Sequence, residues 1–358
     1  MNKHVMVVLL IALMIALVST NILNKNYVND DVRIIYVIQR AAESDLFQDD
    51  IMASYTKSAQ APVTTTLLYI YYLLAKFPNL SFILLGKLLG IVLFLVSILY
   101  AYKLGSAINR RSAFMFAIII TLGLGTQWGV FSGGLSRAFG YPLFLAFLYY
   151  LIKEKSLAIA IVLILMALFY PPVLLLSLVA YSITSIQKRN LTTPIVNSIV
   201  PIMIILVSFV NKKNFSQMIS LRDAMIMPEF YTGGRVPVFR GGMPFTTSLQ
   251  DTLYSLFNYH TIGISTPIYT NFIAVLGVVA LIFVLIYRKG LGIPREIWNV
   301  VLAGVICFAF SFIFFFYLYF PARYVVPTAL VFIACAVSLG IDKMAHKRKR
   351  KNAVFIAA

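Results

Sequence analysis

Apolar residues run in long blocks near 5–23, 80–102, 112–131, 138–152, 156–170, 172–186, 194–210, 266–287, 297–319 and 323–340. Blocks of this length, free or nearly free of charge, read as helices made for a hydrocarbon environment. The pattern predicts an all-α polytopic membrane protein with about ten transmembrane helices. Only Lys87 lies well inside an apolar block. The blocks 156–170 and 172–186 meet at Tyr170-Pro171-Pro172, where fixed φ angles and missing amides favour a break. Lys153 and Lys155 precede the pair and Lys188 and Arg189 follow it, so a tight hairpin with both ends cytoplasmic is expected rather than one kinked helix.

Two segments resist this scheme. Residues 1–20 imitate a secretory leader, with Lys3 ahead of an apolar run, but no A-x-A cleavage site follows and a retained first helix is expected. The segment 62–77 is apolar, tyrosine-rich and only about three-quarters of a normal span. Counting it as a span would put Lys103, Arg110, Arg111, Lys188, Arg189, Arg288 and Lys289 outside, against the positive-inside rule. An interfacial helix at the outer surface, with tyrosine rings in lipid and hydroxyls in water, avoids this. Every short cytoplasmic connection is then basic: 103–111, 153–155, 188–190, 288–296 and the tail beginning at Lys343. Both termini are expected in the cytoplasm, as in a multi-pass plasma-membrane protein with its N- and C-termini inside. One transmembrane domain covers 1–345 and a basic cytoplasmic tail covers 346–358.

Composition removes the soluble alternatives. Hydrophobic residues make up 61% of the 358 and charged ones 12%, with mean hydropathy +0.89; ordinary soluble chains hold roughly 45–50% and 25%. The net charge of +18 sits between apolar blocks, so it records topology and implies no nucleic-acid partner. Cys307 and Cys335 lie within apolar blocks, and His4, His260 and His346 are scattered, so neither a disulfide framework nor a histidine metal motif is indicated. No P-loop, GxSxG, HExxH or dinucleotide fingerprint occurs, which removes the usual signs of ATP-driven transport and serine hydrolysis.

The candidate chemistry lies in two outer loops, about 24–61 and 211–265. They hold nine of the twelve carboxylates, the exceptions being Glu154, Glu296 and Asp342. In the first loop Asp30 and Asp31 follow the first helix, and Asp49 and Asp50 come after an amphipathic stretch, VRIIYVIQRAA, that would lie on the membrane. Clustered carboxylates suit general-base work on an acceptor hydroxyl, or coordination of a hard divalent cation. They equally keep a membrane-proximal loop solvated. Arg137, in SGGLSRAFG, and Arg323, in FPARYVVP, each sit at a helix mouth where a guanidinium can hold phosphate oxygens with two parallel bonds. Ordinary snorkelling to lipid phosphates is the other reading. The second loop carries Arg222, Arg235 and Arg240 among glycines, prolines and aromatics, either a lid over a polar ligand or a plain connector.

Taken together, an acidic pair after the first helix (Asp30, Asp31), a second acidic pair (Asp49, Asp50), a proline-led apolar segment from Pro62 and a late Arg323-Tyr324 with Pro327 nearby resemble the GT-C class of membrane glycosyltransferases. That class uses polyprenyl-phosphate sugars and includes protein O-mannosyltransferases and enzymes that decorate lipid A. The resemblance implies an inverting transfer of sugar to an acceptor glycan, lipid or protein on the non-cytoplasmic face of the cell envelope. Asp30 or Asp31 would be the base, assisted by Asp49 or Asp50. A divalent cation, Mg or Mn, would be held by Asp31 and Asp50 if one is used. Arg137 and Arg323 would bind the departing lipid phosphate, and Tyr324, Arg235 and Arg240 would also contact substrate. The chain stops at a basic tail where many members of the class carry a soluble domain, so acceptor recognition would fall to 211–265. A transporter or flippase for a lipid-linked or anionic substrate, or an O-antigen polymerase or ligase, would share the outer arginines. A polar path across the midplane would mark transport; carboxylates and arginines converging at the outer boundary would mark the transferase.

Overall fold

The computed structural model describes residues 3–20, 73, 82–190, 192–210, 226–228, 267–287, 290–313 and 322–357. Among these there is no strand. The helices are α1 (Lys3–Thr20), α2 (Phe82–Ile108), α3 (Ala113–Thr126), α4 (Gly140–Ile152), α5 (Ser156–Phe169), α6 (Pro171–Gln187), α7 (Thr192–Val210), α8 (Pro267–Tyr287), α9 (Arg295–Ile313) and α10 (Ala322–Ala357). Each apolar block named above overlaps one of them. Their few hydroxyls turn back on the helix: Ser97 donates to the Leu93 carbonyl at 2.8 Å, Thr121 to Ala117 at 2.7 Å and Thr184 to Ala180 at 2.9 Å. Such bonds satisfy a polar group where no water is available.

The helix α2 packs against α1, α3 and α4, while α10 packs against α3, α8 and α9, and α9 against α6. Phe94, Phe116, Phe131, Phe144 and Phe147 fill the space between them and are fully buried. The outer faces stay apolar: Ile195, Ile199 and Leu206 on α7, and Val275, Leu281 and Ile286 on α8, are all exposed. Continuous apolar surface of this kind suits lipid, not water. Lys3–Thr20, Ile83–Ile108 and Arg323–Lys347 are long and apolar enough to cross a membrane, and the bent pair Ala113–Thr126 with Trp128–Gly134 makes a fourth if it is one span.

The break at Tyr170 is a hairpin. Tyr170 leaves helical geometry (φ −150°, ψ 80°), Pro171 and Pro172 open α6 where their missing amides are harmless, and the two far ends come back together. There Lys188 Nζ reaches Glu154 Oε1 at 2.6 Å and Glu296 Oε1 at 3.2 Å. Other groups converge on this end. Asn109 donates to Asp342 at 3.0 Å, Arg111 meets His346, and Asn299 exchanges bonds with Gln187 at 2.9 and 3.0 Å. Lys103 lies 5.0 Å from the Tyr100 ring, and the Tyr100 and Tyr150 hydroxyls are 3.1 Å apart. Partial burial opposes the Lys188 ammonium, yet the two glutamates outweigh it and hold its pKa above the ordinary value. The hydrogen bond from Lys188 holds Glu154 below its own.

One sequence expectation is modified. The block 112–131 is not one straight helix: α3 stops at Thr126 and the chain bends by 72° into short turns. The α10 helix runs on through the basic residues from 346 to Ala357. The acidic first loop, the lid 211–265 apart from 226–228, and the segment 62–77 apart from Leu73 lie outside the described residues.

Candidate functional site

The bend after α3 builds the site at the end of the bundle opposite the Lys188 cluster. Three 3₁₀ turns follow it, Trp128–Val130, Ser132–Gly134 and Ser136–Phe139. The second requires left-handed backbone at Gly133 (φ 72°) and Gly134 (φ 59°), a region that glycine enters without penalty. On the facing helix, a Cβ at Gly90 would lie 2.3 Å from the Phe131 carbonyl oxygen, so only glycine lets α2 approach the turns this closely. Aromatic edges lock the segment: Phe94 meets both Trp128 (5.3 Å) and Phe131 (5.2 Å) edge-on, and Phe139 stacks on Phe169 at 4.1 Å. Lys87, one turn from Gly90 on α2, is buried to 3% exposure.

The turns place Arg137 beside the start of α10. Arg137 and Arg323, separated by 186 positions (323 minus 137) in the sequence, line one cavity of about 50 Å³. Gln127, Tyr141 and Tyr170 supply its polar wall, and Val130, Val173, Val326 and Pro327 its apolar one. The Tyr141 hydroxyl donates to Gln127 Oε1 at 2.6 Å, fixing both side chains. The Nε atoms of Arg137 and Arg323 are buried. Three helices, α4, α6 and α10, begin at the cavity, while α3 and α5 end there. The three described carboxylates, Glu154, Glu296 and Asp342, all belong to the other end of the bundle. Among the described residues the cavity is therefore cationic, and it attracts anions.

The arrangement can hold an anionic oxygen cluster between two guanidinium forks, with tyrosine hydroxyls at its side.

Of the residues selected from sequence, Arg137 and Arg323 come together. Tyr324 is buried beside Arg323, at 2% exposure, while the cavity takes Val326 and Pro327 from that helix. Asp30, Asp31, Asp49, Asp50, Arg235 and Arg240 lie outside the described residues. Among the described residues no three His, Cys, Asp or Glu side chains group as metal ligands. Sequence reading passed over Gln127, Tyr141 and Tyr170. The signals were present: Gln127 interrupts an apolar block, and Tyr170 adjoins the double proline. No known protein family, curated protein or solved structure matches the chain.

Proposed function

We propose that the protein is a multi-pass membrane glycosyltransferase of GT-C type, using a polyprenyl-phosphate sugar on the non-cytoplasmic face, with both termini in the cytoplasm of a plasma-membrane protein of about ten spans. The observation that carries this reading is the pairing of Arg137 and Arg323 on one cavity at the end of the bundle away from the basic connections.

In this mechanism the arginines bind the phosphate that links lipid to sugar. As the glycosidic bond to that phosphate breaks, negative charge grows on the leaving oxygens. Donors already in place stabilise that charge more than they stabilise the ground state, which lowers the barrier. Asp30 or Asp31 takes the proton from the acceptor hydroxyl, whose oxygen attacks the anomeric carbon from the side opposite the phosphate. The bond to carbon forms as the bond to phosphate breaks, and the configuration inverts. Asp49 or Asp50 assists, and Arg235 and Arg240 contact the donor or acceptor. Purified protein incubated with candidate polyprenyl-phosphate sugars should release polyprenyl phosphate; release no faster than in buffer across sugars and acceptors removes the transferase reading.

The 72° bend at Thr126 favours a second reading, since interrupted helices beside an anion site also occur in transporters. A flippase would move a lipid-linked substrate between leaflets of reconstituted vesicles without releasing polyprenyl phosphate.

A further inference from the structure

Gln127 stands at the exit of α3, where the chain leaves helical geometry (φ −102°, ψ 30°). Its backbone is held on both sides: its amide donates to the Leu124 carbonyl at 3.0 Å, and its own carbonyl accepts from the Val130 amide at 2.9 Å. Its side chain is held as well. The Tyr141 hydroxyl, from the first turn of α4, donates to Gln127 Oε1 at 2.6 Å. Tyr141 is buried, and its ring packs against that of Phe131 at 6.2 Å, which keeps the hydroxyl in place.

A glutamine amide accepts through its oxygen and donates through its NH2 group. Left free, Oε1 could accept from a neighbouring guanidinium and compete with an incoming anion. Tyr141 removes that competitor, so Nε2 is the group that Gln127 offers to whatever enters the cavity it lines with Arg137 and Arg323. A guanidinium donates and never accepts, and the Tyr170 hydroxyl can turn either way. Among the described lining residues, then, two cations and a neutral amide present hydrogens, and no carboxylate stands against them. A sugar hydroxyl entering here would bring a hydrogen of its own, and a buried donor without an acceptor is costly. An ionised phosphate brings oxygens alone.

We propose that Gln127, oriented by Tyr141, is a third donor to the anion between Arg137 and Arg323, and that the three select a group made of acceptor oxygens, an ionised phosphate, over a hydroxyl. The inference rests on the reading of this cavity as a phosphate site. It adds a neutral residue that reads hydrogen-bond direction where the arginines read charge. Gln127 touches the ligand; Tyr141 is a positioning residue and acts through it.

The test measures binding of polyprenyl phosphate to the full chain in nanodiscs, with inorganic phosphate as competitor and thermal midpoints to confirm folding. Gln127→Ala should weaken polyprenyl phosphate about tenfold and raise the inhibition constant of inorganic phosphate by the same factor, because the lost contact is to the oxyanion both share. Gln127→Glu keeps the shape and the acceptor for Tyr141 but puts a negative oxygen in place of the amide. It should weaken binding further than alanine does, an order that loss of packing alone would not produce. Tyr141→Phe should lower affinity about threefold, and no further in the Gln127→Ala background. Glutamate binding as well as wild type, a Gln127→Ala loss absent for inorganic phosphate, or additive losses from the two positions would overturn the proposal. An arginine-dependent site indifferent to Gln127 would overturn it alone; no binding by wild type would overturn it together with the phosphate reading.

Discussion

The two ends of the bundle handle charge in opposite ways. At one end Lys188 is shared between Glu154 and Glu296, Asp342 accepts from Asn109, and Asn299 and Gln187 satisfy one another. At the other, two arginines face one cavity with tyrosines and a glutamine, and the described residues there include no carboxylate. The first end is closed on itself and explains how the helices are tied together. The second gathers cationic side chains on a cavity, with no carboxylate among the residues that line it. Buried charge of one sign is expensive to maintain, and its presence at a membrane boundary points to function more than to stability.

The largest expected effect comes from the base proposed to act with the second end. Asparagine keeps the size of aspartate but cannot take a proton, so Asp30→Asn or Asp31→Asn should lower sugar transfer by roughly a hundredfold or more while leaving insertion intact. Assays at matched expression check this; wild-type transfer by both variants and by their double mutant would strip the pair of that role. Next comes Arg323→Ala, which should lower both donor affinity and rate, with a loss of order a few kcal/mol. Arg323→Lys should recover only part, because an ammonium lacks the planar fork. Equal activity of the lysine and alanine variants would show that charge at 323 has no part in donor use.

A smaller effect separates the architecture of the site from its chemistry. Gly90→Ala puts a carbon against the Phe131 carbonyl oxygen and forces α2 or the turns to move, at about 1–3 kcal/mol of stability. Thermal unfolding in detergent should show the loss, and donor affinity should fall with it because Arg137 rides on those turns. An unchanged midpoint would mean the contact relaxes freely.

The smallest effect belongs to the closed end. Glu154 is largely exposed, so Glu154→Gln should remove no more than about 0.5 kcal/mol. Its carboxyl is held below the ordinary 4.5, so its contribution is present above that value and disappears as pH falls through the lowered pKa. Lys188 is held above 10.5, so its contribution is present below that value and is lost as pH rises through the raised pKa. The gap in midpoint between wild type and variant should therefore stay level between these limits and close outside them. A gap that grows below pH 4.5 would assign the stabilisation elsewhere.

Much of this contrast was legible in the chain. Uninterrupted apolar blocks locate the helices because a hydrocarbon-embedded helix has no polar face to obscure its length. The double proline and its flanking lysines gave the α5–α6 hairpin, since backbone chemistry and charge agree there. The bend at Thr126 was hidden: Gly123-Leu124-Gly125 reads as an ordinary membrane helix, and what bends the chain is packing of the turns against α2 at Gly90. Arg137 and Arg323 were each visible at a helix mouth, but their meeting depends on how α4, α6 and α10 pack, which no local pattern encodes. Tyr170 was read as part of a break and is also a wall of the cavity.

Binding of polyprenyl phosphate to the protein in nanodiscs, compared with its Arg137→Ala/Arg323→Ala double variant, tests the central claim most directly. Inorganic phosphate serves as competitor, and circular dichroism confirms that the variant is folded. The account predicts saturable binding by wild type, weakened at least about tenfold in the variant, equivalent to about 1.4 kcal/mol. Equal binding by the folded variant would contradict it, because the lipid phosphate would then be held somewhere other than between these two arginines.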